Sequence, residues 1–188
     1  MTSNFDHDVN NPVNRKAEQL AFHTLREFYA GIGGTIDDVS GEFLKWDFVV
    51  RHGGRVERVD VKCDSYYETT RRIPFEMYHR FSDGRPSDPA WGINDNLNHI
   101  ALVPTSLSQV VLIPLSPLRA YVAYALDYHG KDAVVQRQGW RRIERANVGR
   151  GGAWTTYGWA IPQSEFEKYL AHFGLGEIPV LPIQREAA

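Results

Sequence analysis

Cysteine is nearly absent from this chain. Cys63 stands alone, so no internal disulfide can form and the fold has to be held by packing. Long apolar runs are missing too: nothing approaches the ~18 residues that a membrane span requires. The first residues lack the charged-then-apolar pattern of a secretory leader. Charge of one sign is also missing, with 21 Lys and Arg against 23 Asp and Glu. A formal charge of −2 gives no global case for a nucleic-acid partner, which has to rest on local clusters instead. No internal repeat or low-complexity tract is present. The expectation is a soluble, cytoplasmic protein.

Apolar and aromatic residues are plentiful. The chain has 188 residues, 43% of them hydrophobic, with five Trp, nine Tyr and nine Phe. That is enough to bury a core, and one domain is expected over residues 14–175. A polar segment, 1–13, and a Pro-containing tail, 176–188, are expected to be loose or extended.

The most informative stretch runs from Lys45 to Asp64, KWDFVVRHGGRVERVDVKCD. It reads as two strands joined at Gly53-Gly54, a pair that supplies the positive φ of a tight hairpin turn. A turn centred there opposes Asp47 to Asp60 and Lys45 to Lys62 on one face. The other face is apolar: Trp46, Phe48, Val50, Val59, Val61 and Cys63. Like charges directly opposite each other destabilise a sheet. They ask for a cation, and Mg²⁺ or Mn²⁺ suits carboxylate oxygens while keeping positions for water and phosphate. The alternative is a solvated face on which Lys45 and Lys62 neutralise the acids.

Before the hairpin, Asn14 to Ala30 has helical periodicity, with Ala17, Ala21, Phe22, Leu25, Phe28 and Tyr29 on one arc. Glu18 is the one charged residue inside that arc. A carboxylate aimed at a core needs a partner, although Glu18 also lies where a helix dipole favours an acid. Gly31-Ile32-Gly33-Gly34 follows the helix and reads as its stop, with a short strand at 35–39. After the hairpin, 65–72 reads as a loop, Ile73–Tyr78 as an extended segment carrying Glu76, and 79–96 as a long loop. His99–Val103 and Val110–Pro114 read as strands. Ser116-Pro117 opens a helix that Gly130 ends. Strands are expected at Ala133–Arg137, Trp140–Arg145 and Ala153–Ile161. Ser164-x-x-Glu167 reads as the capping box of a last helix with a Phe166, Tyr169, Leu170, Phe173 stripe.

Local basic charge is found late in the chain. Arg137, Arg141, Arg142, Arg145 and Arg150 face a single acid, Glu144. The tip Gly149-Arg150-Gly151-Gly152 would let a backbone approach a phosphate. Arg with Trp and Tyr can hold a phosphodiester backbone, and a solvated sheet face is the equal alternative. Cys63 as a nucleophile is disfavoured, because the register sends it into the core.

An acid on the first helix, an Asp on one hairpin strand and Asp-x-Lys on the next resemble the PD-(D/E)xK nuclease superfamily, and in particular its small phage-type or bacterial members. The match runs through Glu18, Asp47, Asp60-Val61-Lys62 and Glu76, and covers residues 15–125. Trp46 stands where Pro is usual before Asp47, and Asp60 where Glu is usual before Lys62. The resemblance implies an α/β fold of α+β character, restriction-endonuclease-like. A central mixed sheet would be flanked by helices, with the Arg-rich β segment and C-terminal helix added.

It also implies a metal-dependent nuclease acting on DNA. Asp47 and Asp60 would bind Mg²⁺ (or Mn²⁺), with the Val61 carbonyl as a further ligand. Glu18 would orient a water or complete the metal's ligands, and Lys62 would position the attacking water. Glu76 would be an additional acid or a partner of Arg71 or Arg72. Arg71, Arg72, Arg85, Arg141, Arg142 and Arg150 are the candidate nucleic-acid contacts. The alternatives are a non-catalytic nucleic-acid-binding or assembly protein, or a nuclease for RNA or a cyclic oligonucleotide. A homodimer would explain cutting of both strands.

Overall fold

The computed structural model describes residues 3–4, 12–40, 46–85, 88–149 and 152–183. In chain order the elements begin β1 (Ser3–Asn4), α1 (Pro12–Gly31), β2 (Thr35–Asp38), β3 (Phe48–His52), β4 (Arg55–Cys63), α2 (Ser65–Thr70) and β5 (Arg72–Phe81). Next come β6 (Asp88–Pro89), a 3₁₀ turn at Trp91–Ile93, β7 (His99–Val103), β8 (Gln109–Pro114), α3 (Leu115–His129) and α4 (Lys131–Arg137). The last are β9 (Arg141–Gly149), β10 (Gly152–Pro162), α5 (Gln163–Phe173) and β11 (Val180–Pro182). The chain divides into two compact units. One takes Pro12–Glu68, Asp95–Leu115 and the residues from Ile178 on; the other takes Thr69–Asn94, Ser116–Glu177 and the first residues.

The first unit is a six-stranded mixed sheet in the order β11-β8-β7-β4-β3-β2. Every neighbouring pair is antiparallel except β4 with β7. This is the expected mixed sheet with a helix on its face. Ala17, Ala21, Leu25 and Tyr29 recur every four residues along α1, and all four are buried against Phe48, Val50, Val59, Val61, Ala101 and Val103. Leu25 is fully enclosed, a burial that contributes about 1.5–3 kcal/mol. The β3–β4 register is the expected one, Phe48 to Val59 through His52 to Arg55. Gly53 and Gly54 turn it with φ of 56° and 75°.

The second unit is a five-stranded sheet, β1-β9-β10-β5-β6, antiparallel except for β1 with β9. Its core is aromatic: Tyr121 packs edge-on to Trp140 and stacks with Phe166, and Trp140 meets Trp159. A bulge between Tyr157 and Gly158 shifts the β10–β5 register. A Cβ at Gly158 would lie 2.1 Å from the Phe75 carbonyl oxygen, so only glycine fits there.

Several local expectations are corrected. Residues 133–137 form part of helix α4, not a strand: Gly130 takes φ 75° and Val134 alone is buried, so a run this short carries no strand period. Residues 65–70 are helical because Asp64 caps them, its Oδ1 accepting from the amides of Tyr66 and Tyr67 at 2.7 and 3.2 Å. The segment read as a loop from 79 keeps strand structure to Phe81, because β10 supplies partners as far as Trp154. Helix α5 starts at Gln163 with Pro162 at its N-cap and no side-chain cap, so the capping box is not made. Among the described residues no helix is long and apolar enough to cross a membrane.

Candidate functional site

The site is built where β3 stops and β4 continues. The Asp47 amide donates to the Val59 carbonyl at 3.0 Å, and the Val39 amide donates to the Asp47 carbonyl at 2.8 Å. The Asp47 carboxylate then accepts the Val61 amide proton at 2.7 Å, standing in for a strand partner. Asp60 lies across the fork with only 9% of its surface exposed. Lys62 leaves the same face of β4 two residues on, and its Nζ is 2.8 Å from an Asp60 oxygen. The Lys62 side chain stays partly in solvent.

Burial is the main cause that pushes the Asp47 carboxyl up to about 7. The Asp60 charge and a hydrogen bond between the two carboxyl groups act in the same direction; the Val61 amide and Lys62 oppose it. Burial also raises Glu18, which feels Lys62, then Asp60, then Asp38 and Arg15. Glu18, Asp47, Asp60 and Lys62 therefore share one electrostatic field within a single unit. Asp38 and Arg15 belong to the same surroundings, and the sequence reading missed both. Asp38 could have been found, since it opposes Phe48 in the β2–β3 pairing, one position from Asp47.

Among the described residues no three His, Cys, Asp or Glu side chains form a ready-made ligand set. The donors in contact are two aspartates. That still fits a hard divalent ion, because Mg²⁺ commonly binds through one or two carboxylates and keeps several waters. Val61 is paired with Ala101 in the parallel ladder, and its side chain lies in the core. Cys63 is held in its thiol form, raised first by burial and then by Asp64 and Glu68, which disfavours a nucleophilic role.

The remaining expected residues belong to the other unit or lie outside the described residues. Glu76 is on β5, opposite Gly158 at the bulge. Arg71 has φ 51°, and its carbonyl accepts the Gln163 amide. Arg72 Nε donates to the Gly139 carbonyl at 3.4 Å. Arg85 pairs with Asp83 at 2.8 Å and lies 4.2 Å from the Phe81 ring centroid. Arg142 lies 6.0 Å from the Trp159 centroid and 3.9 Å from Asp132, while Arg141 opposes Ala160. Lys45, Arg150 and Gly151 lie outside the described residues. Trp46 is corrected: it is not part of the apolar core, and the Arg58 guanidinium carbon sits 4.7 Å from its ring centroid.

No protein-family model matches the chain, and no curated protein does. Among solved structures it is similar to a bacterial homing endonuclease, I-Ssp6803I, at 15% identity and a TM-score of 0.41. That likeness covers 57% of this chain and 72% of the other. At this level it carries no inference about fold or activity.

Proposed function

We propose that the unit built on α1 and the β3–β4 hairpin hydrolyses phosphodiester bonds of DNA with the help of Mg²⁺ or Mn²⁺. One arrangement supports this reading. Two aspartates, one just before β3 and one on β4, are held largely out of water with their carboxyl groups in contact, and a lysine ammonium lies 2.8 Å from one of them. Asp47 and Asp60 would hold the ion, which when bound supplies Lewis acidity toward phosphate and lowers the pKa of a bound water.

The chain's own residues do the rest. Asp60 fixes the Lys62 ammonium beside the carboxylates, where it offsets negative charge growing on a phosphoryl oxygen. Glu18, raised by burial, orients the attacking water and exchanges a proton with it. The aspartates stay in place because Asp60 is paired to Ile100 in the β4–β7 ladder and the Asp47 backbone bonds to Val59 and Val39.

The test is incubation with circular single- and double-stranded DNA in Mg²⁺, Mn²⁺ or EDTA. Cleavage is expected with either metal, and none in EDTA or with Lys62→Ala. Circles left intact by the wild-type chain in every metal would end this reading. Parallel RNA and cyclic-oligonucleotide substrates decide the substrate class. Double-strand breaks appearing without nicked intermediates would favour a homodimer.

A second reading has its own observation. The Val61 amide already satisfies Asp47, and Lys62 already pairs with Asp60. On that view the acids are structural and the protein binds nucleic acid without cutting it. Such a protein would shift DNA in a mobility assay, leave circles intact, and keep its affinity with Lys62→Ala.

A further inference from the structure

We propose that Arg58 is the residue by which this site grips a phosphate of the DNA strand, an inference that rests on the phosphodiester reading above. Arg58 precedes Asp60 by two residues on β4. Their side chains therefore leave the same face about 7 Å apart. The backbone at Arg58 is fixed from both sides by Asn98: the Arg58 amide donates to Asn98 Oδ1 at 2.8 Å, and its carbonyl accepts the Asn98 amide at 3.0 Å. The guanidinium rests against Trp46, and Nη1 donates to the Asn96 carbonyl at 3.3 Å.

Among the described residues no carboxylate lies within ion-pair distance of this half-buried cation. The acids beside it in sequence are engaged elsewhere, Asp60 with Lys62 at 2.8 Å and Glu57 facing His99 at 3.6 Å. Partly buried arginines are ordinarily paired. A ring contact uses none of the five guanidinium N–H groups, and Asn96 takes one. The remainder form a planar fork that matches two phosphate oxygens. Strand β4 thus presents Arg58, Asp60 and Lys62 in a row. With Lys62 committed to Asp60 and the reacting phosphate, Arg58 takes the neighbouring one.

The test uses the full chain and a short fluorescein-labelled duplex, titrated in Ca²⁺ over a range of salt, with circular-DNA cleavage in Mg²⁺ alongside. Arg58→Ala should raise Kd about tenfold and lower the slope of log K against log salt by about one. The loss in cleavage should appear mainly in KM. Arg58→Lys should restore the slope and only part of the affinity, because an ammonium lacks the fork. If Arg58→Ala does not fold, Arg58→Gln carries the same comparison.

Unchanged Kd and slope with normal wild-type cleavage would overturn the Arg58 assignment and leave the nuclease reading standing. Weaker binding at an unchanged slope would also overturn it, since that is what a structural role gives. An Arg58-dependent slope without cleavage would uphold the phosphate contact and remove the nuclease. A wild-type chain that neither binds nor cuts the duplex would remove both.

Discussion

The two units carry charge in opposite ways. In the sheet backed by α1, carboxylates are gathered and desolvated where a strand ends, and Asp47 and Asp60 are forced against each other. In the aromatic unit, cations are spread along strands, and several rest on a local partner: Arg142 on Asp132 and Trp159, Arg85 on Asp83 and Phe81. Exposed pairs of that kind contribute little, because solvent screens them. They neither demand a ligand nor prevent one from displacing the acid. The buried carboxyl pair is different, because like charges side by side out of water are unfavourable and are relieved by a proton, by Lys62 or by a bound cation. Charge density in the sequence is thus a weaker guide than carboxylates that the β3–β4 pairing brings together out of water.

The largest expected effect breaks the comparison at its centre. Lys62→Ala or Asp60→Ala should lower cleavage by about a thousandfold or more, roughly 4 kcal/mol of transition-state stabilisation. Single-turnover rates on nicked-circle formation check this, with circular dichroism to confirm that the variants fold. Arg142→Ala, in the other unit, should change the same rate by less than about threefold. Comparable losses from both would mean that the contrast between the units has no functional content.

The next effect is on stability and belongs to the aromatic unit. Gly158→Ala places a Cβ 2.1 Å from the Phe75 oxygen and 2.9 Å from the Glu76 Cα, both backbone atoms of β5. The bulge has to open, at a cost of about 2–4 kcal/mol. Chemical denaturation should show the midpoint falling accordingly. A loss below about 1 kcal/mol would show that β5 and β10 are loosely paired there.

The contrast also explains what could be read from the sequence. The hairpin register was legible because Gly53-Gly54 fixes it locally, and every facing pair from Phe48 to Arg55 follows. The α1 face was legible from its period, Ala17 to Tyr29. Strand β5 was cut short because its last residues owe their conformation to β10, some seventy positions away. Helix α2 escapes the sequence reading because its signal is Asp64, which closes the hairpin stretch and also caps the residues after it. The Arg58–Trp46 contact was invisible because strand alternation puts Trp46 on the opposite face, and the chain leaves that alternation just before β3.

A smaller effect sharpens the carboxylate side. Asp47 has its folded pKa raised to about 7, above its unfolded value. The associated stability is complete below the unfolded pKa, near 4, and is lost as pH rises through about 7. Asp47→Asn keeps an acceptor for the Val61 amide and removes the charge. In EDTA it should therefore be more stable than wild type at pH 8, by about 1–2 kcal/mol, with the difference vanishing near pH 4. Thermal melts across that range check the sign. A variant less stable than wild type at pH 8 would make the ionised carboxylate a structural asset.

The smallest effect tests whether the arginine strand touches DNA at all. Arg141 and Arg142 are consecutive on β9, so their side chains leave opposite faces. Arg142 lies on the face of Trp159 and already has the Asp132 carboxylate 3.9 Å away. Arg141 shares the other face with Arg145, which stands opposite Thr156 with His79 beyond it. A duplex lying along one face neutralises one member of this adjacent pair. Arg141→Ala should then lower the salt slope by about 0.9, and Arg142→Ala should leave it unchanged. Affinity at moderate salt should shift by only about two- to threefold. Equal shifts from both would mean that the strand's edge and not its face meets the backbone. No shift from either would take this sheet out of the interface and leave binding to the β4 row of Arg58, Asp60 and Lys62.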